Sequence, residues 1–272
     1  MTKLELLYQE LLKKEVVRYK EIQEIASEIV EKQPISFRYL YNEYINKLRK
    51  SGKLLHPQRG TYVVVPPTKI NEKSFQPDTY LIASKIQKPY YLGYHTALEL
   101  HGCAYSSYNE VYIVVPPNKK FRGFEFKNIR YKPVFSSQNQ IGLQQINHKN
   151  HEIVVSSPSR TFLDCIERPE YAGEWEECLK SLESLAGVKA SELKQLLDKI
   201  GKDMLFRKTG LILDLFNENP YYEGILPYLK PYLIEKIGKS PMYLKEGAKS
   251  ELDKNWKLYV PTGFRDIIRG VQ

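Results

Sequence analysis

The fold of the N-terminal part is decided by residues 36–65, which read SFRYLYNEYINKLRKSGKLLHPQRGTYVVV. Ser36 predicts a helix start, because its hydroxyl can accept a hydrogen bond from the free amides of the following turn. The helix should run to about Ser51 and stop at Gly52, since glycine commonly ends helices. Two strands are predicted around the tight loop 56–60, with β-branched residues in the second strand.

The residues before this stretch add two more helices. Apolar residues at helical spacing predict a helix over 3–14 and another over about 18–31, with a short extended break at 16–19. Gln33-Pro34-Ile35 is predicted to be a turn. Three helices followed by a basic hairpin is the order of a winged helix-turn-helix, and we predict that fold for residues 1–66.

The rest of the chain is predicted to form a second domain, which makes the protein α+β. Pro66-Pro67 can continue neither a helix nor a strand. The polar stretch 67–77 is therefore predicted to be a linker that lets two domains act independently. Residues 78–182 are predicted to form a mixture of strands and helices. Strands are expected at 111–115, at 124–134 as its partner, and at 151–155. Residues 183–272 predict mainly helices, with a last strand at 257–260.

The predicted third helix separates into two faces. Phe37, Tyr41, Ile45 and Leu48 form a stripe suited to packing on the first two helices. Arg38, Asn42, Asn46 and Arg49 form the adjacent stripe. Arg can hold a guanine edge with two hydrogen bonds, and Asn can do the same for adenine. The predicted DNA-contacting residues are Ser36, Arg38, Tyr39, Asn42, Asn46, Lys47, Arg49, Lys50 and, at the hairpin tip, Arg59.

Charge supports double-stranded DNA as the partner. Residues 35–66 carry six Lys or Arg against Glu43 alone, within a chain of net charge +9. Two other readings stay open. The helix can be an ordinary solvated basic face, or the winged helix can be a protein-interaction adaptor that does not read DNA sequence.

A second basic segment lies at 119–132, where six Lys or Arg oppose Glu125 alone and aromatic residues are interleaved. Such a pattern can follow a nucleic-acid backbone. The alternative is a strand with aromatics inward and lysines outward. The residues of this possible second basic surface are Lys119, Lys120, Arg122, Lys127 and Arg130, with Lys132 at its end.

Several function classes lack their signatures. The sequence has no apolar run long enough for a membrane span, no signal-peptide pattern, and three scattered cysteines, so a cytoplasmic location is expected. No phosphate-binding glycine loop, HExxH or CxxC occurs, and we predict no enzyme, cofactor or metal. Glu125-Phe126-Lys127 mimics the ExK of nucleases, but Asp78, its upstream acid, is placed as a helix cap.

Three segments of the second part carry a family resemblance. Tyr94-His95-Thr96-Ala97-Leu98-Glu99-Leu100-His101-Gly102 resembles the SALxxHG helix of the AbiEi antitoxins of type IV toxin–antitoxin systems, with Thr96 at the usual serine. Ser156-Ser157-Pro158-Ser159-Arg160-Thr161-Phe162-Leu163-Asp164 is similar to their SPxRTxLD segment, and 256–260 to their closing strand.

The resemblance implies a repressor that binds inverted repeats in its own promoter. It further implies an antitoxin of an abortive-infection defence system, whose C-terminal domain counteracts a nucleotidyltransferase toxin. The resemblance does not imply that antitoxin and toxin form a stable complex. The motif residues themselves predict structural roles. Ser157 should cap a helix opened by Pro158, Arg160 and Asp164 should pair at i,i+4, and His101 should interact with free carbonyls at a helix end.

Overall fold

The computed structural model describes residues 1–30, 35–138 and 140–269 of the α+β chain. Gln33 and Pro34 of the predicted turn lie outside the described residues. Within the described ranges, no helix has the length and apolar character needed to cross a membrane.

The N-terminal part contains three helical segments and a hairpin in the predicted order, with one further strand. Its elements are α1 (Lys3–Leu12), β1 (Val16–Arg18), α2 (Tyr19–Val30), α3 (Phe37–Leu40), a π-helical turn (Tyr41–Ile45), α4 (Asn46–Lys50), β2 (Leu54–Gln58) and β3 (Thr61–Val64). We call the continuous segment 37–50 the third helix. The further strand is β1, which lies in the segment predicted as an extended break. It pairs with β3 and completes a sheet of order β1-β3-β2.

Both faces of this small sheet are buried. On one face, Val17, Tyr62 and Val64 pack among the N-terminal helices. On the other face, Val16 and Val63 share an apolar cluster with residues of the second part, including Leu81 and Ile82. Strands buried on both faces read as unbroken apolar runs, as Val63-Val64-Val65 does.

Polar contacts reinforce this junction. The Lys85 ammonium lies 2.8 Å from the Glu21 carboxylate, with both side chains half-buried. The carbonyl of Lys85 also accepts from the Thr61 hydroxyl at 3.4 Å. The segment predicted as a linker holds a short 3-10 helix (Pro67–Lys69). The two parts therefore pack on each other, and the boundaries 1–66, 67–77 and 78–272 remain predictions.

A six-stranded mixed sheet forms the centre of the second part, in the order β6-β7-β5-β4-β9-β8. Its elements are α5 (Thr79–Ser84), β4 (Tyr91–Leu92), α6 (His95–Leu100), β5 (Glu110–Val115), β6 (Phe124–Phe126), β7 (Ile129–Phe135), β8 (Leu143–His148) and β9 (His151–Ser156). The single strand predicted over 124–134 is wrong. Lys127 and Asn128 both have positive φ, 52° and 64°, so the chain reverses there, and only β7 pairs with β5.

The last part is mainly helical, as predicted, but contains more strand than expected. It comprises α7 (Pro158–Glu167), α8 (Glu174–Glu183), α9 (Ala190–Ile200), α10 (Asp203–Leu215), α11 (Ile225–Lys236), β10 (Met242–Tyr243), β11 (Ser250–Asp253), β12 (Leu258–Pro261) and α12 (Asp266–Arg269). The predicted closing strand is β12, and β10 and β11 flank it. Cys103, Cys165 and Cys178 are buried free thiols in the core of these helices.

Candidate nucleic-acid interface

The third helix begins at the predicted cap. The Ser36 hydroxyl accepts from the Tyr39 amide at 3.3 Å, which satisfies one of the free donors of the first turn. The helix ends at Lys50 with Ser51 as its C-cap, followed by Gly52 with φ +71°. Between these ends the Asn46 amide bonds to the Tyr41 carbonyl, five residues earlier. This bond defines a π-helical turn, which holds one more residue than an α-helical turn.

The π turn changes which residues face inward. One extra residue rotates the first turn by about 100° relative to the rest of the helix. Leu40 therefore takes the inward position expected for Tyr41, and the buried stripe is Leu40, Tyr44, Ile45 and Leu48. The prediction that Phe37 packs inward is wrong, because its side chain is 64% exposed.

The predicted base-reading stripe is divided in the same way. Arg38 and Asn42 are exposed, one helical turn apart, with Tyr39 beside them. Asn46 and Arg49 are half-buried. The Arg49 guanidinium donates to the Tyr41 hydroxyl at 2.9 Å, which turns Arg49 toward the hairpin side of the helix. Of the four predicted readers, Arg38 and Asn42 are the most available to a ligand.

Arg49 also influences the hairpin side chains. Burial lowers the pKa of His56, and the nearby charge of Arg49 lowers it further. His56 stacks on Tyr62 with ring centroids 4.9 Å apart. Arg49 therefore lies close to the hairpin residues His56 and Tyr62.

The hairpin places Arg59 at its tip. Gln58 pairs with Thr61, so Arg59 and Gly60 form a two-residue turn, with Gly60 at φ +80°. The Arg59 side chain is exposed. The Gly60 carbonyl accepts from the Tyr19 amide at 2.8 Å, which ties the tip to the start of α2.

Positive charge on this surface is largely uncompensated. Glu43, the one acidic residue of 35–66, pairs with Lys47 at 2.7 Å and so neutralises one of the six cations. In the part of the chain that the structure describes, Arg38, Lys50 and Arg59 have no carboxylate partner. The basic surface thus has an exposed cation at each end of the helix and a third on the hairpin.

In the second basic segment, 119–132, some of the positive charges are neutralised by partners and others are not. Arg130 and Lys132 both pair with Glu110, at 2.8 and 2.7 Å, and Lys127 donates to the Lys73 carbonyl. Its aromatics face inward, as in the alternative interpretation, and Phe124 stacks on Tyr131 at 4.7 Å. Within the described residues, the cations of this segment that are exposed and have no ion pair are Lys119, Lys120 and Arg122.

The two motifs of the family resemblance meet at one junction. The His101 ring nitrogen Nε2 lies 2.9 Å from the Ser156 carbonyl and 3.2 Å from the Thr161 hydroxyl. His101 thus bonds across to the second motif instead of to carbonyls of its own helix end. Burial lowers its pKa, so the ring is neutral near pH 7.

The second motif contains a buried ion pair. Ser157 caps α7 as predicted, and its hydroxyl accepts from the Arg160 amide. Arg160 lies 2.7 Å from Asp164, with 3% and 1% of their side chains exposed, so the surface pair considered from sequence is in fact in the core. Asp164 also accepts from the Tyr91 hydroxyl at 2.9 Å, and Arg160 donates to the Gln138 carbonyl. These contacts fasten α7 to the central sheet.

The other residues considered for chemistry from the sequence lie in structural positions. Asp78 caps α5 through the Tyr80 and Leu81 amides and pairs with His148 and Lys149. Lys127 lies in the hairpin turn, so Glu125 and Lys127 do not extend along one strand. Across residues 1–30, 35–138 and 140–269, no group of three or more His, Cys, Asp or Glu is arranged to hold a metal ion.

Comparisons with known proteins bear on the fold. The chain is similar in structure to the RV2827C protein from Mycobacterium tuberculosis. The TM-score is 0.61 and the identity 16%, over 93% of this chain and 88% of that chain. At this identity the likeness shows a common fold alone. Neither a family model nor a curated protein sequence matches the chain.

Proposed function

We propose that the protein is a sequence-specific DNA-binding regulator whose N-terminal winged helix reads the major groove of duplex DNA. The observation that carries the proposal is the pairing of Arg38 and Asn42 on one exposed face, with uncompensated cations around it. Arg and Asn are the residue types that hold guanine and adenine edges with two hydrogen bonds. The flanking cations Lys50 and Arg59 supply the phosphate contacts that fix orientation.

The arrangement of elements supports the winged-helix assignment. Helix, strand, two helices and a hairpin follow in order, and the sheet order is β1-β3-β2. In such modules the second helix of the helix-turn-helix lies in the major groove, and its N-terminal residues contact base edges. Arg38 and Tyr39 occupy that end of the third helix.

The resemblance of the two motifs to AbiEi antitoxins extends the proposal. The protein would bind inverted repeats in the promoter of its own operon and counteract a nucleotidyltransferase toxin. Co-expression with such a toxin tests this part. A variant with Arg38, Asn42 and Arg59 replaced by Ala is expected to lose promoter repression and still protect cells. Loss of protection at normal protein level would mean that neutralisation depends on DNA binding.

A protein-interaction adaptor is the second candidate, because the exposed ring of Phe37 is a feature that protein partners also bury.

Titration of the full-length chain with fluorescent duplexes over a range of salt concentrations distinguishes the DNA reader from the adaptor. A DNA reader loses affinity steeply as salt rises, through counterion release. The triple variant above should lose that binding. The matched control, Lys245→Ala with Lys254→Ala, removes two exposed charges from the C-terminal part and should keep it. Salt-insensitive or absent binding by the wild type would favour the adaptor.

A further inference from the structure

The exposed ring of Phe37 is ordered by its neighbours. It lies 5.9 Å from the Tyr41 ring, nearly parallel at 11°, and 5.1 Å from the Tyr19 ring. Tyr41 is held in turn by the Arg49 guanidinium. The Phe37 backbone is fixed directly after the capped Ser36. The ring is thus supported from one side and presents the other to solvent.

Nothing in the packing of the third helix requires this ring. The inward positions are filled by Leu40, Tyr44, Ile45 and Leu48. Leaving an aromatic surface in water forgoes the stabilisation that its burial would give. A rigid, exposed aromatic at the start of the helix therefore has the character of a contact residue.

The surroundings decide what Phe37 contacts. Arg38 is its immediate neighbour, Asn42 lies about one turn on, and the surface carries the uncompensated charge of Lys50 and Arg59. A complementary partner must be polyanionic and must also offer an apolar group within reach of a helix N-terminus. The major groove of duplex DNA offers one such group, the C5-methyl of thymine, and Phe is among the side chains that contact it.

We propose that Phe37 contacts the C5-methyl group of a thymine, next to the base pairs read by Arg38 and Asn42. This inference rests on the proposed function and adds a specificity: the bound site prefers an A·T pair, in one orientation, at the position facing Phe37. Tyr41 and Tyr19 are positioning residues for the ring.

The test uses the full-length chain and a duplex selected from a random library. Each thymine is replaced in turn by deoxyuridine, which lacks only the methyl group, and affinity is measured by fluorescence anisotropy. When the thymine that faces Phe37 is replaced, at one position or at one in each half-site, the affinity of the wild type should fall about fourfold. This is the effect expected for burying one methyl group. Phe37→Ala should bind the thymine and deoxyuridine duplexes equally. Phe135→Ala removes another exposed phenyl ring, far along the chain on β7, and should keep the fourfold preference.

The outcomes separate this inference from the function on which it rests. Salt-sensitive binding with equal affinities for all thymine and deoxyuridine duplexes would overturn the methyl contact and leave DNA binding intact. A preference that survives in Phe37→Ala would also overturn it. Absence of duplex binding by the wild type would overturn the proposed function itself. If sedimentation shows that Phe37→Ala dissociates a dimer while the methyl preference persists, the ring is a contact between copies and the inference is wrong.

Discussion

Replacing Asp164 by Asn tests whether the buried ion pair holds the second part together. The change removes one charge and preserves shape, so no cavity contributes to the result. Burial disfavours the charged guanidinium of Arg160, but the Asp164 carboxylate, together with Tyr91 and Tyr94, outweighs burial and raises the pKa of Arg160. In the variant, Arg160 stays charged and buried without its counter-ion. Removing one partner of such a pair costs about 3–5 kcal/mol. We expect about 3 kcal/mol, because the amide oxygen can still accept from Arg160.

Urea unfolding of the full-length chain at pH 7, followed by circular dichroism, measures this loss. Glu176→Gln is the matched control. Glu176 pairs with Lys180 at the same i,i+4 spacing and the same 2.7 Å, but on the surface. It should unfold like the wild type. A loss below about 1 kcal/mol in Asp164→Asn would show that the buried pair contributes no more than a surface pair, and the reasoning would be refuted.

Three further predictions concern the interface and the motif junction. Arg38→Ala should relax sequence preference at one base pair by about 1–3 kcal/mol, whereas Lys50→Ala should weaken all duplexes alike; equal losses on every duplex from both would show that the helix reads no bases. If the second basic surface contacts phosphates, replacing Lys119, Lys120 and Arg122 by Ala should lower the salt slope of binding by about 3. An unchanged slope, matching that of a Lys245, Lys249 and Lys254 triple variant, would exclude those contacts. Because burial lowers the pKa of His101, the unfolded chain takes up its proton first as pH falls below about 6.5. The free energy of unfolding should therefore fall from pH 7.5 to 5.5 by more in the wild type than in His101→Gln, and parallel curves would contradict this.

The sequence predicted the elements of the N-terminal part well because their signals are local. Ser36 and Gly52 mark the helix ends through hydrogen bonds and φ values that each residue type favours. The hairpin turn is equally local, but the predicted loop 56–60 was too long, because β2 extends to Gln58 and only Arg59 and Gly60 form the turn. The inward placement of the aromatics in the second basic segment followed from simple alternation. Each of these depends on a few neighbouring residues and not on the tertiary fold.

The π turn could not be predicted in this way. Its extra residue between Tyr41 and Ile45 has no signature in residue type, yet it moves Phe37 to the surface. The two-sided burial of the small sheet does have a signal in the sequence. The run Val63-Val64-Val65 is unbroken by polar residues, as in strands covered on both faces. The partner for the second face is distant in sequence, so only the structure identifies it.

One measurement tests most directly the proposal that the third helix reads duplex sequence. The full-length chain is used to select duplexes from a random library. Its affinity for the selected duplex is then compared with that for a shuffled duplex of the same composition, at about 150 mM salt. Specific readers prefer their site by about 10³-fold or more. We expect a preference of that size in the wild type and its collapse in Arg38→Ala with Asn42→Ala. Equal affinity for the selected and shuffled duplexes, or a preference unchanged in the double variant, would contradict the claim.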